Sequence, residues 1–194
     1  MKKVLIVFTF LSFFLFCHTV SAQNIRNAIV IGASASQIDG DRISGFNKAG
    51  LVFGGSSNFK ITDKFSFQPE ILWLQKGSKT TNKDSLEAYF KWRLNYVSVP
   101  VLLNYKIQPR FTLQTGVTAD FLLDAKVDAG SGFIDRTDEL QRFDLNYTGG
   151  IEYRIGDNFA ANARYQYSFF WLDDIHFKNS NVLVTLRFYL GSND

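Results

Sequence analysis

The sequence predicts an all-β fold, an eight-stranded antiparallel up-and-down transmembrane β-barrel, for this chain of 194 residues. Three observations predict it. Apolar and polar residues alternate over many short stretches, and short turns alternate with long polar connections. Aromatic residues also recur at a fixed spacing along the apolar faces. Together these features are typical of a barrel that crosses a bilayer with its strands.

Residues 1–22 have the features of a secretory signal peptide. Lys2 and Lys3 precede a mainly apolar run at residues 4–16, and residues 20–22 (VSA) supply the small side chains of a cleavage site. The apolar run is too short to span a bilayer as a helix. We therefore predict that the chain is exported and that its leader is removed.

The remaining residues, 23–194, are predicted to form one barrel domain. An alternative leader is a lipoprotein signal acylated on Cys17, which the bulky Phe16 before it disfavours. Because Cys17 is the only cysteine, the mature domain would contain no disulfide. The formal charge falls from +3 to about +1 when the leader is lost, so the composition gives no support for nucleic-acid binding.

One short element occurs three times after the leader. NFKITDKF (58–65), NYKIQPRF (104–111) and EYRIGDNF (152–159) share the order polar, aromatic, basic, isoleucine, three turn-forming residues, phenylalanine. The copies begin 46 and then 48 residues apart, a spacing that indicates a repeated two-strand unit. Each copy predicts a tight turn between two strands.

The strands and the long connections follow from this repeat. Strands are predicted near residues 25–36, 48–60, 64–76, 90–105, 110–124, 142–154, 158–171 and 180–190. The long polar connections are residues 37–47, 76–89, 126–141 and 172–179. Short turns at one end and long loops at the other are characteristic of outer-membrane barrels, so we expect the four loops to lie outside the cell.

Aromatic spacing predicts that the apolar faces point outward, toward lipid. A soluble lipocalin-like barrel, the alternative, would turn its apolar face inward. Apolar-face aromatics ten residues apart in one strand are separated by about 25 Å along a tilted barrel, the height of a lipid-facing band. The predicted aromatic girdle comprises Phe59, Phe65, Trp73, Tyr105, Phe111, Phe121, Phe143, Tyr153, Phe159, Phe169 and Phe188.

Charged residues on the opposite faces are predicted to form a structural network inside the barrel. They are Lys48, Glu70, Asp120, Asp144, Glu152, Arg154, Arg164 and Arg187. Eight strands enclose a space that side chains fill, and buried charges require partners. We expect Glu70 to pair with Arg164 or Arg187. A narrow ion or proton pathway through the same residues is the alternative; a wide solute pore does not fit this strand number.

Two prolines lie within predicted neighbouring strands. Pro69 and Pro100 cannot donate hydrogen bonds to a ladder, and a closed barrel has no free edge to place them on. We therefore predict a local break or bulge between the third and fourth strands.

No catalytic site is predicted. His176 lies near Asp173, Asp174, Ser168 and Ser180, so a nucleophile and base could be assembled in principle. No recognised nucleophile motif surrounds either serine, and a lone histidine in a polar loop is usually a surface residue. A lipid-modifying enzyme is therefore a minor alternative.

No metal or cofactor is predicted either. Asp128, Asp135, Asp138 and Glu139 are clustered in one long connection, but their spacing does not match a calcium-binding loop. A solvated acidic loop is the simpler interpretation of these four carboxylates.

Four segments, in the same order along the chain, resemble the PorT-like outer-membrane β-barrel family of Bacteroidota. They are QPEILWLQKGS (68–78), YVSVPVLLNYKI (96–107), FTLQTGVTADFLLDAK (111–126) and FDLNYTGGIEYRI (143–155). The resemblance covers essentially the whole mature chain. It implies an eight-stranded outer-membrane barrel with both termini in the periplasm.

The functional implication of this resemblance is limited. The namesake of the family is associated with protein secretion, but no motif of this chain is tied to that role. Residues 191–194 (GSND) also depart from the terminal aromatic residue on which many outer-membrane barrels end.

We expect a non-enzymatic structural or interaction protein that presents its long loops to other envelope proteins and is surrounded by outer-membrane lipid. A small-molecule transport or binding barrel is the alternative from another class.

Overall fold

The computed structural model describes residues 25–39, 45–80, 90–170 and 178–190. These residues form nine strands: β1 (Ile25–Asp39), β2 (Lys48–Lys60), β3 (Phe65–Lys76), β4 (Lys91–Lys106), β5 (Phe111–Asp128), β6 (Phe133–Asp135), β7 (Phe143–Arg154), β8 (Phe159–Ser168) and β9 (Lys178–Leu190). A single 3-10 turn follows β6 at Thr137–Glu139. None of the helical structure in these ranges is long and apolar enough to cross a membrane.

Eight of the strands close into an antiparallel barrel. In the ring, β1 pairs with β2, β2 with β3, β3 with β4, and β4 with β5. Strand β5 then pairs with β7, and β8 and β9 follow in order. The pairing of β9 with β1 closes it. The short β6 lies outside the ring and pairs only with the last residues of β5. The predicted fold class is therefore confirmed.

Three strands extend further toward the long-loop end than predicted, whereas β8 ends at Ser168, three residues before the predicted end of its strand. β1 continues to Asp39, β5 continues to Asp128, and β9 begins at Lys178. Residue 76, which the predicted third strand and the predicted loop 76–89 share, belongs to the strand, because Lys76 is the last residue of β3 and is buried. The predicted loop 126–141 contains β6, which forms a small hairpin with β5.

Several predictions fall on residues outside the described ranges. These are the leader at residues 1–22, the segment 191–194, and His176 with its two neighbouring aspartates, Asp173 and Asp174. Residues 40–44, 81–89 and 172–177, which are parts of three predicted loops, also lie outside the described ranges.

The outer face of the barrel is apolar. Ile71 and Leu51, which point outward from β3 and β2, are 67% and 63% exposed. Charged residues on the same strands point inward, and Glu70 is only 1% exposed. This arrangement is the reverse of a soluble barrel, in which the apolar residues fill the interior.

Most of the predicted girdle residues lie in cross-strand aromatic pairs on this outer face. At the short-turn end, Phe65 pairs with Tyr105, Phe111 with Tyr153, and Phe159 with Phe188, with ring centroids 5.0, 4.9 and 5.1 Å apart. Phe59 contacts Phe67 at the same end. Nearer the long loops, Phe121 pairs with Phe143 and Trp73 with Phe53. Phe169 is exposed just beyond the end of β8. Phe59 and Trp73 are half-buried rather than fully exposed.

The ladder is interrupted at both prolines, as predicted, but it contains no bulge there. Pairing between β3 and β4 stops after Pro69 and Val101 and resumes at Leu72 and Ser98 in the same register. The β2–β3 ladder, on the opposite edge of β3, is also interrupted at Pro69, because pairing there passes from Ser56–Glu70 directly to Phe59–Phe67. Two unpaired positions on each strand are therefore enough to accommodate the missing donors.

A bulge occurs instead between β4 and β5. Asn95 pairs with Asp124, whereas the next residue, Tyr96, pairs with Leu122, so Leu123 is an extra residue on β5. The bulge reverses which side chains face inward. On the short-turn side of the bulge Leu122 is buried, and on the long-loop side Ala125 is buried.

Besides a small group formed by Ala28, Ala160 and Tyr189, two larger apolar clusters interrupt the polar interior. One lies in the middle of the barrel and consists of Val30, Val52, Leu72, Leu74 and Leu183. The other closes the long-loop end and consists of Ile38, Leu94, Tyr96, Leu122 and Ala125.

Candidate functional site

The lumen contains a four-residue charge network, here called the lower network: Glu70, Glu152, Arg164 and Arg187. Arg164 donates from Nη1 and Nη2 to the two oxygens of Glu70, at 2.6 and 2.8 Å. Arg187 donates from Nη1 to Glu152 at 2.5 Å and from Nη2 to Glu70. Glu70 thus contacts both arginines that the sequence analysis named as its candidate partners.

Amide and phenol groups complete the hydrogen bonds of the lower network. Gln68 donates to Glu70 at 2.6 Å, and the Tyr189 hydroxyl donates to Glu152 at 2.8 Å. Gln114 accepts from Arg164 Nε at 3.0 Å. Because buried charges are costly unless their remaining hydrogen-bonding groups are also satisfied, these neutral partners help to make the burial of four charges tolerable.

A chain of amides extends this polar layer around the barrel. Asn104 on β4 donates to Gln68 at 2.8 Å, and Gln114 on β5 donates to Asn104 at 3.1 Å. Asn58 on β2 donates to Gln68, and Asn162 on β8 donates to Gln114. With the charged residues on β3, β7, β8 and β9, the layer connects seven strands of the ring.

A second group of charges, here called the upper cluster, lies nearer the long loops and consists of Lys76, Asp120 and Asp144. Lys76 Nζ donates to Asp120 at 2.5 Å, and both side chains are fully buried. Asn146 donates to the same Asp120 oxygen at 2.9 Å.

Asp144 has no cationic partner in the described part of the chain. Its two oxygens accept hydrogen bonds from the Ser168 hydroxyl and from Asn179 Nδ2, the latter at 3.0 Å. Asn179 also contacts the Tyr96 hydroxyl at 3.3 Å. Asp144 is therefore held by neutral groups, which sequence reasoning did not identify.

Two predicted members of the lumen network lie apart from these groups. Lys48 donates to the Ala49 carbonyl at 2.7 Å and approaches Gln75 Oε1 at 3.4 Å, so it forms no ion pair within the described ranges. Arg154 is half-buried at the short-turn mouth, where its guanidinium lies 5.6 Å from the centre of the Tyr189 ring.

The most important residue that sequence reasoning missed is Lys76. It lies where the predicted third strand (64–76) and the predicted loop (76–89) overlap, and the predicted lumen charges do not include it, although it has the same parity as Glu70, Leu72 and Leu74 on β3. Extending the alternation by one more step would have placed it inside the barrel, where it pairs with Asp120.

The acidic loop does not assemble a metal site. Asp128 accepts hydrogen bonds from the backbone of Gly130 and Gly132, and Glu139 pairs with Arg136. Asp138 pairs with Arg142 at 2.7 Å. Over the ranges that the structure describes, no three histidine, cysteine or carboxylate side chains converge.

Asp135 is held within the same loop by Thr137. The Thr137 hydroxyl and backbone N–H both donate to its carboxylate, at 2.7 and 2.9 Å, and these bonds hold the pKa of Asp135 below its ordinary value. The Thr137 hydroxyl also accepts from the backbone N–H of Ala125. This carboxylate therefore stabilises the loop against the end of β5.

The two serines near His176 in the sequence, Ser168 and Ser180, each form a hydrogen bond with a side chain of the barrel. Ser168 donates to Asp144, and Ser180 forms a hydrogen bond with the Tyr165 hydroxyl at 2.9 Å. Both are therefore held by groups of the barrel wall. The chemistry that the lumen supports is mutual neutralisation of buried charges.

Solved structures of small barrels are similar to this chain in fold. The attachment invasion locus protein Ail of Yersinia pestis, solved with the heparin analogue sucrose octasulfate, is 18% identical and matches with a TM-score of 0.56. The match covers 86% of this chain and 99% of Ail. The Neisserial surface protein A is 14% identical, with a TM-score of 0.50, over 84% of this chain and 95% of that protein.

The family comparison agrees with this fold. No curated protein matches the sequence. The model of the family described as "Outer membrane protein beta-barrel domain" matches residues 19–174, which is most of the chain and seven of its eight ring strands up to β8. The chain therefore belongs to the outer membrane protein β-barrel domain family and is a small barrel of the outer membrane.

Proposed function

We propose that this protein is a non-conducting, non-enzymatic barrel that anchors an interaction surface in the outer membrane. The observation that carries this proposal is the filled lumen. Arg187 and Glu70 are buried in the lower network, and on β3 the buried Leu72 and Leu74 lie between Glu70 and Lys76. An ion would have to break these buried ion pairs to pass through the lumen, which is costly.

The interaction surface proposed is the β5–β6 hairpin at the long-loop end. Arg93 and Lys91 lie over the Phe133 ring, 4.3 and 5.5 Å from its centre. Phe133 and the adjacent Ile134 are 42% and 52% exposed. An exposed aromatic residue with arginine beside it is a combination that protein interfaces favour.

The orientation of the barrel is part of the proposal. The long loops would lie outside the cell and both termini in the periplasm, as the PorT-like resemblance implies. Ser131→Cys, in the hairpin, is expected to react with a membrane-impermeant maleimide in intact cells, whereas Gln108→Cys, in a short turn, is expected to react only after lysis. The reverse pattern would contradict this orientation. Removal of residues 1–22 is tested separately by sequencing the mature amino terminus, which is expected to begin at Gln23.

Planar-bilayer recordings test the filled lumen. The purified barrel is expected to give no stable channel events, because paired side chains fill its lumen. Stable open channels would instead support the transport alternative. The Arg187→Ala variant, which removes a large buried side chain from the lumen, tests whether that side chain blocks conduction once its folding has been verified.

Co-purification from native outer membranes tests the interaction role and any link to secretion. A partner that is retained by the wild-type protein and lost from Phe133→Ser/Ile134→Ser would support the hairpin as the contact surface. Phe121→Ser, on the barrel wall facing away from the lumen, is the matched control. A lipid-modifying activity would appear as a change in membrane lipid composition in a His176→Ala strain, and we expect none.

A further inference from the structure

A cavity of about 540 Å³ occupies the short-turn mouth of the barrel. Its walls include the β2–β3 turn, which contributes Lys64, and the end of β4, which contributes Lys106. Its inner part includes Arg26, Arg154 and Tyr189. The volume falls within the range of ligand pockets, roughly 300–1,000 Å³.

The charges around this cavity are unbalanced. Five basic residues and two acidic residues contribute to its lining: Arg26, Lys60, Lys64, Lys106 and Arg154 against Asp63 and Glu152. Both carboxylates are already engaged. Asp63 pairs with Lys60 at 2.7 Å, and Glu152 is bound by Arg187 and Tyr189 inside the barrel.

Four basic side chains therefore have no carboxylate partner among the described residues. Arg26 donates only to a backbone carbonyl, that of Asp157, at 2.8 Å, and its Nε has no hydrogen-bond partner within the described ranges. Arg154 lies over Tyr189, and neither Lys64 nor Lys106 takes part in an ion pair in this part of the chain. This leaves a wet, concave and strongly positive mouth.

The four cations form two pairs on different sides of the mouth. Arg26 and Arg154 both lie over the Tyr189 ring, on the side formed by β1, β7 and β9. Lys64 and Lys106 lie together on the β3–β4 side, where the backbone of Lys106 donates to the carbonyl of Lys64. Two separated basic pairs match a ligand with several anionic groups in a row better than a single phosphate.

The position of the cavity also limits the ligand. The lining includes inward-facing polar residues such as Asn104, whereas Phe111 and Tyr153 form an exposed aromatic pair on the outer wall at the same end and lie outside the lining. Phe65, at the start of β3, belongs to an outer pair and also borders the cavity at its rim. Lipid headgroups around the barrel are therefore separated from the cavity by the strands. A ligand that approaches through water, along the barrel axis, has direct access.

From this geometry, we propose that the short-turn mouth binds an acidic peptide segment whose successive carboxylates contact the Arg26–Arg154 and Lys64–Lys106 pairs. This binding site goes beyond the proposed role of the long loops, from which it lies at the opposite end of the barrel. In the proposed orientation it faces the periplasm, so its ligand would be an acidic segment of a periplasmic protein.

Fluorescence anisotropy with the full barrel in neutral detergent tests the proposal. Labelled hexaglutamate is expected to bind, and hexaglutamine and hexalysine are not. Lys64→Gln/Lys106→Gln is expected to weaken hexaglutamate binding about three- to tenfold, the effect of removing two exposed charges. Binding should also weaken steeply as the salt concentration is raised, because the contacts are electrostatic.

A second double variant controls for net charge. Lys79→Gln/Arg142→Gln removes two exposed cations from the long-loop end and is expected to leave hexaglutamate binding unchanged. Equal weakening in both double variants, or equal binding of hexaglutamine, would overturn the proposal. Loss of binding when the barrel is moved from phosphatidylcholine to phosphatidylglycerol nanodiscs would assign the mouth to lipid headgroups instead. The peptide assay uses detergent-solubilised protein, so its result does not depend on the proposed orientation or on the proposed role of the long loops. A failure to bind hexaglutamate would therefore count against the mouth site alone.

Discussion

The lower network and the upper cluster are two different ways of burying charge in the same barrel. The lower network contains two carboxylates and two guanidinium groups, so it is balanced. The upper cluster contains two carboxylates and one ammonium group, and its second carboxylate, Asp144, is held by a hydroxyl and an amide. The difference follows from the cation that each group contains.

An arginine can contact several carboxylate oxygens at once because its guanidinium has a planar fork of donors. Arg187 uses this fork to connect Glu70 on β3 with Glu152 on β7. Lys76 carries a compact charge, and its ammonium contacts one oxygen of Asp120. We therefore expect the lower network to be strongly coupled and the upper cluster to consist of nearly separate pairs.

The largest expected effect comes from Arg187→Met. This change leaves two buried carboxylates with Arg164 as the remaining cation, and breaking such a buried group costs about 3–5 kcal/mol. The free energy of unfolding in urea, measured with the barrel in lipid vesicles, should fall by this amount. A loss below about 1 kcal/mol would show that the lower network contributes little to stability.

Lys76→Met is expected to cost about 3 kcal/mol, at the lower end of the same range. Only Asp120 loses its cation, and Asn146 still donates to it at 2.9 Å. The same urea titration measures the effect. The double variant Lys76→Met/Arg187→Met should show additive losses if the two groups are independent, and marked non-additivity would contradict that separation.

Asp144→Asn is expected to cost only about 1 kcal/mol. The new amide can still accept a hydrogen bond from Asn179, and the Ser168 hydroxyl can rotate to accept one from it. Glu152→Gln is the informative comparison, because it removes the charge from a carboxylate that binds an arginine. If the two isosteric changes had equal effects, neutral and cationic partners would be equivalent in this lumen.

The smallest effect is expected for an exposed ion pair, Lys60 with Asp63. The hydrogen bond from the Lys60 ammonium holds the pKa of Asp63 below its ordinary value, so Lys60→Gln should raise that pKa toward normal. Titration of the Asp63 carboxyl by NMR measures the shift. The unfolding free energy should not change measurably, since both side chains are mostly exposed and solvent screens the pair.

Much of the barrel was predictable because alternation has a short period that a sequence displays directly. Phe65, Phe67 and Ile71 alternate with Gln68 and Glu70, and the structure has the same division between outer and inner faces. The turns could also be predicted, from their polar residues. This local information determined the number of ring strands and the side on which each residue lies.

The bulge at Leu123 could not be predicted in the same way. Neither glycine nor proline marks the position, and an extra residue is defined only relative to the partner strand. Its effect is large all the same, because it turns Ala125 inward and Asp124 outward. Alternation that is followed along a single strand does not detect such a reversal.

The partners of Asp144 could not be predicted from the sequence either. Which inward side chains meet depends on their heights in the barrel, and those heights depend on strand tilt and stagger. Glu70 could be matched with arginines because few cations were available to it. Asp144 is held by Ser168 and Asn179, and nothing distinguishes these from other inward polar residues until the stagger is known.

The lower network has a consequence for the order in which the barrel assembles. Glu70 is separated along the chain by 94 residues from Arg164 and by 117 residues from Arg187. Contacts between such distant residues form late in folding, and β3 is not a neighbour of β8 or β9 in the ring. These charges can therefore meet only across a sheet that has already curled into a cylinder. A chain that closes with the wrong stagger leaves them unpaired, so the network selects the correct closure at the final step.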